Sequence, residues 1–323
     1  MKAISDSILC IFAFCFFLGS CTKKESNPVV TTPTDTTKKN DTVALGNYTT
    51  ILPDTSTFYH GVQLGTVNDP LIQSASGLSA SRAYPNMFWT HNDAGKYNYI
   101  FLLDSTGKRK AFFQVTGAVN TDWTDMAIGP GPAAGVNYLY LADIGDSKVS
   151  RYNVSVQRFP EPHAPLDTSG KLGTTEKAEF INFQYPDGPR DAESILLDAT
   201  TKDIYIIDKS TPADVYIAPY PQPVDSLFTI KKIARILVSS LRGGAMSSDG
   251  QEILLKNLTA IYYWKRHAGE SVLNTLLSQP VQEPYTVEQH GEAICWSVSG
   301  DSYWTTSKVM GNFIPDFTVY RRK

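Results

Sequence analysis

Cysteine is scarce in this chain and unevenly placed. Of the four, Cys10, Cys15 and Cys21 lie at the start and only Cys295 lies further in, so the folded part has no disulfide framework and no cysteine metal site. Charge of one sign is lacking as well. With 29 Lys plus Arg against 32 Asp plus Glu, mixed along the chain, the formal charge is -3. There is no basic stripe of the kind that neutralises phosphates, and a nucleic-acid partner is not expected. Catalytic signatures are missing too: no Gly-x-Ser-x-Gly elbow, phosphate loop, zinc signature or dinucleotide fingerprint occurs. Cys295 falls inside an apolar run, where a thiol is inert.

What is present is a chain of 323 residues, 42% hydrophobic and 11% aromatic, enough to bury a sizeable core. Its first residues are a targeting segment. Lys2 supplies a short positive region, residues 8–18 are an apolar run too short to span a bilayer as a mature helix, and Leu18-Gly19-Ser20-Cys21 follows. That tetrad resembles a bacterial lipobox, which implies cleavage before Cys21, a lipid on Cys21 and a membrane anchor. Thr22 is not the aspartate associated with inner-membrane retention, so the outer membrane is the expected address. An ordinary secretory signal with an incidental cysteine is the alternative. Residues 1–20 are therefore read as signal peptide and residues 21–49, rich in Thr, Pro and Lys, as a solvated tether. The remaining 50–323 are read as one folded domain, expected to be monomeric.

Internal repeats decide the fold of that domain. Small-plus-apolar steps recur at Ser76-Gly77-Leu78, Thr124-Asp125-Met126, Glu193-Ser194-Ile195, Gly244-Ala245-Met246 and Glu292-Ala293-Ile294. Each is followed by a Gly/Asp/Pro-rich turn and by short aromatic and β-branched runs, the pattern of strands joined by tight hairpins. The spacing is about one four-stranded blade, ~40–50 residues, with one longer interval explained by a loop at 159–170. The reading is an all-β, five-bladed β-propeller, with a six-bladed ring as the alternative. Second strands are expected at 138–142, 204–207, 253–255 and 303–305. Third strands are expected at 99–103, 152–156, 215–217, 261–264 and 317–320. Fourth strands are clear only at 111–115 and 180–183. Residues 269–277 offer the one helical turn. The last repeat runs out of chain, so 58–64 is expected to close the ring as its outer strand and remove an exposed edge.

Five motifs stand in order on this frame: Trp89-Thr-His-Asn-Asp-Ala-Gly95, Asp122-Trp-Thr-Asp125, Leu141-Ala-Asp-Ile-Gly-Asp146, Tyr185-Pro-Asp-Gly-Pro-Arg-Asp-Ala-Glu193 and Gly291-Glu-Ala-Ile294. In them the chain resembles a bacterial family of secreted β-propeller proteins of unknown function, over about residues 70–320. The resemblance implies a fold and no reaction. In that family the second motif often has a glutamate where Thr124 stands here.

In a propeller the starts of the inner strands and the ends of the second strands gather on one face. The candidate ligand-binding residues are accordingly His91, Asn92, Asp93, Asp122, Asp143, Asp191, Glu193, His290 and Glu292. Glu193, Glu292, Asp191 and His91 are the candidates for acid or base chemistry. Oxygen-rich ligands suit Ca²⁺, which would sit among Asp122, Asp191, Glu193 and Glu292, with the Thr124 hydroxyl as a further oxygen. Plain structural roles compete with each of these: turn caps at Asp93, Asp143 and Asp146, and ion pairs of the two glutamates with Arg190 and Lys256. The leading expectation is a lipid-anchored propeller that binds a glycan, peptide or protein on its polar face. A metal-assisted or two-carboxylate hydrolase in the central channel is the alternative.

Overall fold

Five sheets radiate from one axis. Each starts at the axis with a strand of small or aliphatic residues and ends at the rim with an irregular one. The computed structural model describes residues 43–95, 97–163, 170–224 and 226–323; Cys21, the stretch read above as signal peptide and most of that read as tether lie outside the described residues.

The N-terminal strands β1 (Ala44–Leu45) and β2 (Val62–Thr66) precede the first blade, which is β3 (Ala75–Ala80), β4 (Met87–Asn92), β5 (Tyr99–Asp104) and β6 (Arg109–Gln114). The second blade is β7 (Trp123–Pro130), β8 (Asn137–Asp143) and β9 (Val154–Pro160). Its chain then visits β10 (Leu172–Thr174) before β11 (Glu179–Gln184) completes it. The third comprises β12 (Ala192–Leu197), β13 (Ile204–Asp208) and β14 (Ala213–Ala218), then β15 (Phe228–Thr229) and β16 (Lys231–Ile236). The fourth is β17 (Gly243–Met246), β18 (Glu252–Lys256) and β19 (Ile261–Lys265), followed by helix α1 (Val272–Leu277) and β20 (Val281–Glu283). The fifth is β21 (Gly291–Trp296), β22 (Ser302–Ser307) and β23 (Asp316–Arg321), and β2 is its fourth strand. The protein is thus a five-bladed β-propeller, and the six-bladed alternative does not apply.

Closure joins the two ends of the folded chain. β2 pairs antiparallel with β23, and Phe58 bridges Arg322. The expected closing strand is shifted by a few residues, because a register shift between Gln63 and Gly65 lets it bend around the rim. The first three blades carry a fifth strand as well. β10 runs parallel to β6, and β15 runs parallel to β11, so each long third-to-fourth connection reaches back to the preceding blade. This is where the 159–170 loop leads. β9 itself runs Val154–Pro160, starting later than the expected 152–156 and taking in the first two residues of the expected loop.

The N-terminal segment reaches further onto the propeller than its composition suggests. Ala44 and Leu45 pair parallel with Ala234 and Arg235 on β16, and the Tyr48 ring packs 6.3 Å from Trp264 while its hydroxyl donates to the Leu276 carbonyl. Pro53 then bridges Gln282 on the fourth blade. Residues 44–48, read above as tether, belong to a belt that crosses the rims of the third, fourth and fifth blades.

The apolar residues sort into five clusters, one at each blade interface. Crowding at the axis demands small residues there. A Cβ on Gly77 would come 2.8 Å from the Met126 nitrogen, and one on Gly243 2.5 Å from the Glu292 carbonyl oxygen. The remaining channel is narrow, about 30 Å³, lined largely by Leu78, Met126, Ile195 and Met246.

Candidate functional site at the channel mouth

The inner strands do not pair cleanly with their neighbours at the mouth. In four blades the register slips by one residue there: between Ala75 and Gly77, Trp123 and Asp125, Ala192 and Ser194, and Gly291 and Ala293. The extra residues are Ser76, Thr124, Glu193 and Glu292. A bulge leaves its residue out of the ladder and re-aims its side chain, which explains why these repeat positions carry polar groups in otherwise buried strands.

On the first two blades the bulge residue stitches. Ser76 Oγ donates to the Trp123 carbonyl at 3.0 Å, and Thr124 Oγ1 to the Ala192 carbonyl at 3.2 Å, each on the next blade. The Thr124 hydroxyl is spent on that bond and is not turned to a cation. On the third and fifth blades the bulge residue is charged. Glu193 lies 2.6 Å from Lys209 and 3.7 Å from Arg242; Glu292 lies 3.6 Å from the same Arg242 and 2.6 Å from Lys308. Lys308 also pairs with Asp93, and Lys209 with Asp191 at 3.1 Å. Asp122 completes the circuit, its carboxyl meeting that of Asp93 and feeling Asp191. Its place is fixed by Gly145, where any Cβ would strike the Asp122 carboxyl.

The result is a ring around the mouth in which charge alternates from Asp93 through Lys308, Glu292, Arg242, Glu193 and Lys209 to Asp191, and Asp122 closes it among acids. Asp93, Asp122, Asp191, Glu193 and Glu292 are brought together, with Lys209, Arg242 and Lys308 between them. Arg190 and Lys256 are not the glutamates' partners. Arg190 pairs with Asp187 at 2.6 Å. Lys256 is turned into the interface of the fourth and fifth blades, where it pairs with Glu288 at 3.0 Å under the Tyr285 ring. Arg242 escaped the sequence reading because it precedes a glycine pair in the weakest repeat; Lys308 lies just past the last second strand.

Burial, and then Glu292, push the Glu193 carboxyl up to about 7. Burial, and then the Asp93 carboxylate, push Asp122 up to about 7. Glu292 is raised by burial against the pull of Lys308. Burial works against Lys308 and Lys209, but their carboxylate partners outweigh it and raise both. Asp93 goes the other way, Lys308 overcoming its burial.

The ring does not suit a metal. Among the described residues no group of three or more His, Cys, Asp or Glu side chains converges to hold one, and the positive charge that Ca²⁺ would bring is already supplied by ammonium and guanidinium groups. Of the expected Ca²⁺ set of Asp122, Asp191, Glu193 and Glu292, the last three are drawn into ion pairs with Lys209, Arg242 and Lys308.

The other candidates are framework. His91 is fully buried beneath Asp93 and Lys308, whose charges it feels, its ring edge-on to Trp123 at 5.6 Å, and burial holds its pKa down. His290 is exposed and sits at a positive φ of 51° in the turn before β21. Asn92 accepts the amides of Gln73 and Ser74 and donates to Leu71, clamping the entry to β3. Asp143 accepts the Asp122 amide at 3.0 Å and pairs with Arg151 at 2.8 Å. Asp146 caps its own loop through the Ser150 and Arg151 amides.

One residue in the second motif does more than its candidates. Asp125 is fully buried, and its carboxylate accepts the Met126 amide at 2.8 Å, the Ile195 amide at 3.0 Å and the Gly244 amide at 3.0 Å. It ties three blades at the axis. Burial pushes its carboxyl up while the three amides pull it down.

Beside the ring a cavity of about 370 Å³ opens, lined by Val149, Arg190, Asp191, Lys209, Ser240 and Arg242 among others. Comparisons with known proteins add a loose likeness of shape. No family model matches the sequence, and no curated protein matches it. Among solved structures, the chain is similar to "Structure of U3-55K", at a TM-score of 0.40 and 9% identity over 83% of this chain and 99% of that one. It is similar also to "Crystal structure of RRP9 WD40 repeats", at 0.40 and 9% over 84% and 99%. The blade count rests on the sheets, not on these likenesses.

Proposed function

We propose that this chain is a lipid-anchored, extracytoplasmic propeller of the secreted bacterial kind it resembles, and that it binds a peptide or a segment of a partner protein at the channel mouth. The observation that carries the reading is the alternating ring of Asp93, Lys308, Glu292, Arg242, Glu193, Lys209 and Asp191, beside a cavity of about 370 Å³. Such a ring offers both donors and acceptors in a half-buried setting, where a ligand bearing both signs exchanges ion pairs rather than stranding them. A glycan recognised by hydroxyls alone would leave the ring's ion pairs as they are and make no use of its charges. The anchor follows from Leu18-Gly19-Ser20-Cys21, with the outer membrane as address. If this is right, Cys21→Ser abolishes lipid labelling and membrane fractionation; unchanged fractionation with no label on the wild type removes the anchor.

The hydrolase reading draws on Glu193, whose carboxyl near 7 is suited to general acid work. Paired-acid hydrolysis needs an open gap of roughly 5–9.5 Å between carboxyls for substrate and water. Here Arg242 occupies the space between Glu193 and Glu292, and binding is favoured. A panel of mixed-charge oligopeptides tests it: binding without turnover supports the reading, and product formation lost in Glu193→Gln supports the hydrolase.

A further inference from the structure

The face opposite the mouth carries a larger cavity. A groove of about 780 Å³ lies between the first and fifth blades, with Arg82, Phe88, Val298, Trp304, Val319 and Arg321 in its lining. Arg82 also lines the lower end of the central channel and the neighbouring cavity that holds Glu161.

Two donors of this groove are unmatched. Arg82 Nη1 is buried and makes no hydrogen bond, and among the described residues no carboxylate lies within ion-pair reach of Arg82. Glu161 is the nearest acidic influence on it. One Glu161 oxygen is already taken by the Ser81 hydroxyl at 2.6 Å, the Trp89 indole at 2.8 Å and the Arg82 amide at 3.1 Å. Trp304 is 7% exposed, its ring held against Phe88 at 4.5 Å and Phe317 at 5.1 Å, and its indole Nε1 is buried without a partner. Buried donors without acceptors are rare and costly, and here a cation and an N–H share one cavity. Asp301, the carboxylate in the lining, takes the Ser297 and Ser302 hydroxyls on one oxygen, Oδ1. The groove therefore offers positive charge, N–H donors and apolar walls, against a single lining carboxylate that two hydroxyls already hold.

We propose that this groove is a second ligand site, for an organic anion in which a carboxylate is joined to an apolar body. The carboxylate accepts from the Arg82 guanidinium and the Trp304 indole, while the body lies against Phe88, Val298 and Val319. The volume is that of a small-molecule site, and a guanidinium matches a carboxylate's geometry. A neutral polyol could accept a hydrogen bond from Arg82 but would leave its charge unbalanced, and a cation would add to that charge. The site is separate from the mouth and does not depend on what binds there.

The test is a titration of the full chain with octanoate, octan-1-ol and octylammonium, followed by calorimetry and by the indole N–H resonances. Octanoate is expected to bind roughly tenfold or more tighter than octanol, and the Trp304 resonance, assigned with Trp304→Phe, to move most. Arg82→Gln is expected to lose about tenfold in octanoate affinity with octanol unchanged. Equal affinities for octanoate and octanol, or an unmoved Trp304 resonance, would overturn the proposal. So would unchanged octanoate affinity in a folded Arg82→Gln. Should that variant fail to fold, the wild-type ratio and the Trp304 resonance decide.

Discussion

The Asp125 carboxylate accepts the Gly244 amide at 3.0 Å, joining residues 119 positions apart on the second and fourth blades. Because the same oxygen also takes the Ile195 amide, the inner strands of three blades meet on one side chain. Asp125→Ala strands two inner-strand amides at the axis and is expected to cost about 3 kcal/mol or more. Asp125→Asn, which keeps one acceptor, is expected to cost less. Urea unfolding of both reads this directly, and a wild-type midpoint for Asp125→Ala would dismiss the role.

The belt on the rim is separately testable. Removing residues through 42 is expected to leave stability unchanged, whereas Tyr48→Ala uncovers Trp264 and loses the bond to Leu276. The expected loss is about 2 kcal/mol, on the order of 4 °C in Tm. Identical melting of Tyr48→Ala and wild type would make the belt a passive overlay.

How much of this was legible in the sequence depends on period. Inner and second strands were readable because their small and aromatic residues recur with turn signals between them, and all five inner strands fall where the repeat placed them. Outer strands were not. β16 and β20 carry Lys, Arg, Gln and Glu at the rim, while β10 and β15 pair with the preceding blade and β1 with β16, far along the chain. At the mouth, Glu193 and Glu292 stand out as charges inside apolar strands and Lys209 as a second-strand end, but Arg242 and Lys308 do not. Nothing local in the sequence tells that Arg242 reaches two blades, or that Lys256 turns away into an interface. Asp125 was written into the repeat and passed over, since a carboxylate bound by three amides looks in sequence like any other aspartate.

Metal dependence separates the ring from the expected Ca²⁺ site. With Lys209, Arg242 and Lys308 supplying the positive charge, the unfolding temperature is expected to be the same with Ca²⁺ and with chelator, in wild type and in Glu193→Gln. A rise with Ca²⁺ that Glu193→Gln abolishes would restore the metal.

Glu283 sets a pH dependence outside the mouth. It is buried on β20 with neither carboxyl oxygen hydrogen-bonded, and burial, then Asp54, push it from 4.5 up to about 8. Below the unfolded value both states hold the proton and its contribution is intact. As pH rises from there through 8 the unfolded chain releases the proton first, so stability falls across that window and is flat above it. Glu283→Gln is expected to remove that fall, a gain on the order of 2 kcal/mol at pH ~9 after allowance for screening, and nothing at pH ~4. Parallel pH profiles for the two proteins would contradict it.

The central claim is that the charged ring at the mouth receives a ligand of mixed charge. Thermal unfolding of the full chain and of Arg242→Met, each with mixed-charge oligopeptides and with neutral gluco-oligosaccharides, tests it most directly. The account predicts a peptide-dependent rise in the wild type by mass action, little or none in Arg242→Met, and none with the sugars in either. A peptide shift of equal size in both proteins, or a shift produced by the sugars alone, would contradict it.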